Sequence, residues 1–176
     1  GGVIRPFLMG RDLVDKQEPR FVIDFFGLSD KSARETAPVF FQHVLNHVKP
    51  ERDENPRRAY RDRWWLFGES REGLRRAVAS LERYVVTART AKHRVFQFIP
   101  GETLIDSNVV GIASSDSFVL GVLSSRVHRS WAFRTGATLE DRPHYTSSTV
   151  FEPFPFPTCT DSQKGNIRDL GEQLDA

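Results

Sequence analysis

Between Tyr84 and Ser125 the chain passes through a succession of apolar, β-rich segments, "YVVTA", "RVFQFI", "NVVGIA" and "SFVLGVLSS". Pro100-Gly101, Ser107-Asn108 and Ser114 to Asp116 separate them, and these residue types favour turns. Two short helical patterns precede the cluster and one follows it. That order predicts an α+β fold, a mixed or antiparallel twisted sheet with flanking helices. The alternation of strand and helix that builds a doubly wound parallel sheet is missing.

The helical patterns are specific. "DKSARETAPVFFQHVLNHVKP" carries an apolar stripe at Phe40, Phe41, Val44, Leu45 and Val48, with Pro38 suited to a first turn and Pro50 ending the helix. "REGLRRAVASLERY" turns Leu74, Ala77, Val78 and Leu81 inward, and "SRVHRSWAFRTG" reads as a helix stopped by Gly136. "PRFVIDFFG" is apolar on both faces and predicts a buried strand ending at Gly27. "TSSTVFEPFPFP" is expected to be extended, because prolines at alternate positions remove backbone donors. Residues 1–158 are expected to form one domain, followed by a polar tail, 159–176, that holds a short helix leaving it.

The usual signatures of chemistry are missing from the sequence. There is no phosphate-binding glycine loop, dinucleotide turn or nucleophile elbow. His43 and His47 stand four apart on a helix, but the zinc-protease pattern needs Glu after the first His, and Val44 is there. Cys159 is the single cysteine and lacks basic neighbours that would make it a thiolate; it allows no internal disulfide, which favours a reducing, cytoplasmic setting. No apolar run is long enough for a membrane span. The reading is therefore no catalytic residue and no metal site, with a metal-dependent nuclease around His43 and His47 as a rival.

Net charge is +2, yet the cations are unevenly placed. Arginine outnumbers lysine 20 to 5, and Arg126 to Arg134 holds three arginines and a histidine with no acid. The planar guanidinium fork matches phosphate and guanine better than an ammonium does.

Six stretches in order, "IRPFLMGRDL", "RFVIDFFG", "HVKPERDENPRRAYRDRWWLFGESREGLRRA", "RYVVTARTAKHRVFQF", "SSDSFVLGVLSSRVHRSWA" and "GATLEDRPHYTSSTVFEPFPFP", resemble the target recognition domain of MmeI-like (type IIL) restriction–modification enzymes and of adenine-specific DNA methyltransferases. The resemblance spans about residues 3 to 158 and implies a DNA target-recognition fold that binds double-stranded DNA. In that family the domain follows a methyltransferase domain that carries S-adenosylmethionine and an N-P-P-Y catalytic loop. This chain has only "ENPRR" at Glu54 to Arg58, so the cofactor belongs to the methyltransferase domain of the same parent polypeptide.

Base readers and phosphate contacts then divide between several stretches. In "TARTAKHR", between two strands, Arg89, Lys92 and Arg94 are expected to read bases and His93 to contact phosphate. Glu140 and Arg142, two apart on an extended chain, point the same way; a carboxylate facing cytosine N4 beside a guanidinium facing guanine reads one C·G pair. The resemblance marks an acid and a base near that place as readers. Ser107 and Asn108 are further base-reading candidates. Arg126, His128, Arg129 and Arg134 are phosphate candidates, of which at most two are expected to face DNA. Arg63 to Trp65 reads as a core anchor, and "FEPFPFP" as a strap whose phenylalanines bury against a neighbouring surface. A protein-interaction module docking through that Phe-Pro strap is the alternative function.

Overall fold

A computed structural model gives the structure of the chain over residues 2–14, 18–139 and 142–175. It divides into two compact units, Gly1–Arg5 with Phe21–Glu72, and Pro6–Arg20 with Gly73–Ala176.

The first unit is mainly helical. Strand β1 (Ile4–Leu8) begins here beside β2 (Phe21–Ile23), where the Asp24 N–H donates to the Val3 carbonyl at 2.7 Å. The segment expected as a buried strand yields only those three residues, and Phe21 is exposed; Phe25 alone enters the core fully. Gly27 then takes φ +82°, a left-handed turn that favours glycine. Ser29 caps α1 (Asp30–Thr36) through its hydroxyl, and Pro38 opens α2 (Pro38–His47). Pro50 does not simply stop α2; it sits in the first turn of α3 (Lys49–Asp53), where a missing N–H costs nothing. After α4 (Arg58–Asp62) come Trp64, buried against Phe41 at 5.3 Å, and Trp65, whose Nε1–H donates to the Leu28 carbonyl at 3.0 Å. The tryptophans anchor this core, as their pairing with Leu66 and Phe67 predicts. Phe40, expected in the apolar stripe, is exposed instead.

The second unit is built around β3 (Arg83–Ala88), with β4 (Gln97–Pro100) and β6 (Val109–Ile112) antiparallel on either side. Helix α5 (Glu72–Val78) leads into it. Tyr84, Val86 and Ala88 point to one core with Leu8, Val78, Ile99 and Val109. Val85 points to the opposite core with Val110, Ile112, Leu120, Leu123 and Val150. A central strand covered on both faces is buried at every position, which is why "YVVTA" shows no alternation; its one polar residue, Thr87, donates its hydroxyl to the Val95 carbonyl. A second sheet pairs the end of β1 in parallel with β5 (Leu104–Ile105), and β7 (Thr138–Leu139) with β8 (Arg142–Pro143) forms a small antiparallel hairpin. The α+β class and the mixed sheet arrangement agree with the sequence.

Two sequence expectations fail here for identifiable reasons. "SFVLGVLSS" is not a strand but helix α6 (Ser117–Ser124), capped by the Asp116 carboxylate accepting from the Phe118 N–H at 2.9 Å. A buried helix and a buried strand are both continuously apolar, so only the cap distinguishes them. The segment before the prolines is not extended either: Thr146 caps a π-helical turn, Ser147–Phe151, that buries Val150.

The last helix, α8 (Asp161–Asp175), does not leave the fold but lies along α6. Glycines permit the approach: a Cβ at Gly171 would sit 2.2 Å from the Ser117 carbonyl oxygen, and one at Gly121 2.9 Å from the Ile167 carbonyl oxygen. Arg168 grips Asp116 with two bonds of 2.8 Å and thereby holds that carboxyl below its ordinary pKa. Arg83, stacked on Phe98 at 3.9 Å, pairs with Glu172. We expect Gly171→Ala to lower stability by about 1–3 kcal/mol, the usual cost of overpacking, read from a shift in the urea unfolding midpoint.

Candidate nucleic-acid interface

The site grows from the end of β3. Where pairing to β6 stops, the Arg89 N–H donates to the Asn108 carbonyl at 2.6 Å and its Nε–H to the Ser107 carbonyl at 2.7 Å. The Ser107-Asn108 turn is itself shaped by Asp106, whose carboxylate accepts from the Asn108 backbone N–H and side-chain amide at 2.9 and 3.1 Å. A short 3-10 helix, Gly10–Leu13, lies against this turn so closely that a Cβ at Gly10 would be 2.9 Å from that of Asn108. Arg89 thus forms one cluster with Ser107 and Asn108, nearly twenty residues away in sequence, and the exposed Arg11 follows Gly10 in the adjoining helix.

Beyond Arg89 the loop is tied to the segment after β8. Thr90 bridges His144, with its hydroxyl 3.1 Å from Nδ1, and the Tyr145 N–H donates to the Arg89 carbonyl at 2.7 Å. Arg94 is the clamp. Its Nη1 donates to the Ala88 carbonyl and to the Thr87 hydroxyl, and its Nη2 to the Pro143 carbonyl at 2.8 Å. The guanidinium lies 5.0 Å from the centre of the Tyr145 ring. Burial lowers its pKa to about 10, so it stays charged at neutral pH.

Behind the clamp, the Tyr145 hydroxyl meets His128 Nε2 at 2.9 Å, and both rings pack edge-on to Phe96. Phe154 closes the cluster, 4.4 Å from the His128 ring and 5.9 Å from Trp131. The Phe-Pro strap therefore docks on its own domain through Phe154. His128 is 0% exposed and Nδ1 is buried without a hydrogen-bond partner. Burial, then the charge of Arg94, lowers its pKa to about 4, leaving it neutral at pH 7. Expected among the phosphate contacts, His128 is instead a core residue.

Helix α7 (Arg126–Thr135), capped by the Ser125 hydroxyl, supplies one wall of a groove of about 560 Å³. Arg126, Arg129 and Arg134 all face it, opposite Lys92 and Arg94, with Pro143 at its rim. At most two of Arg126, His128, Arg129 and Arg134 were expected to face DNA; all three arginines line the groove although offsets of 3 and 8 residues spread them over about 140° of the helix surface, because their long side chains reach it from either side. Among the described residues lining the groove none is acidic. His93 is exposed on the same loop. Arg142 lies in β8, paired with Leu139, while Glu140 lies outside the described residues.

In the first unit His43 and His47 stack at 4.3 Å on the surface, with His47 Nδ1 bonded to the His43 carbonyl at 2.8 Å. Among the described residues no three His, Cys, Asp or Glu side chains gather to hold a metal ion.

The family model "MmeI, target recognition domain" matches residues 2–158. The chain belongs to that family. No curated protein sequence matches it. A solved structure described as the type IIL restriction–modification enzyme MmeI in complex with DNA has the same fold, with a TM-score of 0.75 at 18% identity. The match covers 97% of this chain and 22% of that one, so this chain spans about a fifth of its length.

Within this MmeI-type recognition fold, sequence reasoning missed the Thr90–His144 bridge and Phe133. Phe133 carried a legible signal: it is a large apolar residue on the arginine face of an amphipathic helix.

Because His128 is neutral when folded but titrates near 6.5 when unfolded, the unfolded chain binds more protons between those values. Stability should be complete above about pH 6.5 and fall as pH drops toward about 4. Urea titrations at pH 7 and pH 5 should show the loss, and His128→Phe should reduce this slope even where its absolute stability is lower.

Proposed function

We propose that this chain recognises a specific sequence in double-stranded DNA on behalf of a methyltransferase domain elsewhere in the same polypeptide, and is not catalytic alone. The observation that carries the reading is the groove in which Lys92, Arg94, Arg126, Arg129 and Arg134 converge with no acid among its described lining residues. A duplex backbone is the polyanion such a surface suits, and phosphate contacts fix register while base contacts supply sequence. Membership of the MmeI target recognition family supports it. We take the parent to be an S-adenosylmethionine-dependent enzyme acting on the adenine N6, of the type IIL restriction–modification kind and cytoplasmic. Among the described residues, no helix is long and apolar enough to cross a membrane.

In this reading Arg126, Arg129, Arg134 and His93 engage phosphates. Arg89, Lys92, Ser107, Asn108, Glu140 and Arg142 face base edges. Arg94 has its guanidinium turned to internal acceptors, and we assign it the shape of the reading surface rather than a direct base contact. Domain 1–158 does the reading. The helix after it braces α6.

A second surface favours a protein partner as well. Val127, Leu170 and Leu174 are exposed beside Pro155 and Pro157 around an apolar groove of about 750 Å³. We assign it to contact with the parent's methyltransferase domain, the role in which the Phe-Pro strap serves interaction.

Binding of this chain to duplex oligonucleotides should weaken steeply with salt, and fluorescence anisotropy across a salt series measures it. Replacing Arg126, Arg129 and Arg134 with Ala should reduce the slope of log K against log salt by about 0.9 for each lost contact. Salt-independent binding, or none to any duplex, would reject the proposal. Exchanging Glu140 for Lys and Arg142 for Asp in the parent enzyme should change one position of the methylated sequence and spare activity. An unchanged site, mapped by methylation sequencing, rejects those two as readers.

A further inference from the structure

Phe133 is 63% exposed and lines the arginine groove. On α7 it follows Arg129 by one turn and immediately precedes Arg134. The core does not use it: from this helix the inner side takes His128 and Ala132, with Trp131 packed against them and its Nε1–H donated to the Val150 carbonyl at 2.9 Å. An exposed aromatic ring among cations gains nothing from water, since apolar surface is stabilised only when covered. Charge identifies what covers it. Three arginines on its own helix and Lys92 across the groove draw a phosphodiester backbone toward the ring.

Phosphates offer no apolar surface to that ring. Within reach of a surface that straddles a backbone, the major-groove edges of the bases present one methyl group, at C5 of thymine, and phenylalanine is among the residues that contact it. We propose that Phe133 contacts the 5-methyl group of a thymine and is a specificity-determining residue of this domain. The proposal rests on the duplex-recognition reading above and adds to it a base type, T, and a reader that carries no charge.

A distinctive chemical test exists because uracil pairs as thymine does but lacks the methyl. Duplexes enriched from a random library by the wild-type chain are resynthesised with deoxyuridine replacing each thymidine in turn. One substitution should weaken wild-type binding about fourfold, the value of one buried methyl group, and leave Phe133→Ala binding unchanged. The Phe133→Ala chain should bind the thymine duplex at least as weakly as wild type binds the uracil duplex, because it loses the ring as well as the methyl contact. Exposure of the side chain means the variant should fold, which circular dichroism checks.

Other outcomes discriminate. If no deoxyuridine position matters to wild type, the methyl contact is refuted. If Phe133→Ala nevertheless weakens binding to all duplexes equally, the ring touches sugars or wedges between base steps instead. If one position matters equally in wild type and variant, another residue reads that methyl. Failure of the wild-type chain to enrich any duplex would overturn the duplex-recognition reading itself, a result distinct from all of these.

Discussion

Strand β3 holds the second unit together because it is buried on both faces. Tyr84, Val86 and Ala88 seal one core and Val85 the other, while β4 and β6 satisfy its backbone groups on either edge. Burial of this completeness fixes the register, since a slip of one residue would exchange the two sets of side chains. One part of the candidate interface is attached to the end of that strand: Arg89 leaves directly from it, and the turn at Ser107-Asn108 leads into its partner β6. A buried strand therefore delivers these polar side chains to fixed positions.

Arg94 converts that rigidity into a shaped surface. An arginine with its fork turned onto the Ala88 and Pro143 carbonyls joins the strand end to the hairpin of β7 and β8. Its charge is retained despite burial because Tyr145 lies beneath it and three acceptors surround it. Tyr145 in turn reaches His128 on α7, so the loop, the hairpin and the arginine helix share one buried polar contact set. Removal of any member leaves an unpaired buried group, which makes such a network a specific rather than a forgiving joint.

Much of this was legible beforehand. Periodicity located α5 and α7, the tryptophan pair marked a core, and the strands at β3, β4 and β6 fell where apolar runs met turn residues. The errors each have a local cause. "SFVLGVLSS" was ambiguous because continuous burial erases the period that separates strand from helix, and Asp116 decided it by capping. "PRFVIDFFG" shrank to three strand residues because Phe25 turns into the helical core instead of continuing the ladder. His128 looked like one more cation in a basic stretch, yet its turn of α7 faces inward.

The sequence by itself determined the class of the fold, its family resemblance and the supply of arginine, because these depend on composition, local period and the order of motifs. Only the tertiary structure decided which cations meet. Lys92 and Arg94 are more than 30 residues from Arg126, Arg129 and Arg134, and no local pattern predicts that an antiparallel sheet, a capped helix and a buried tyrosine bring them to one groove. It also separated two neighbours that sequence treated alike: His128 is buried and neutral, while Arg129 stands in solvent, one helical step of about 100° away.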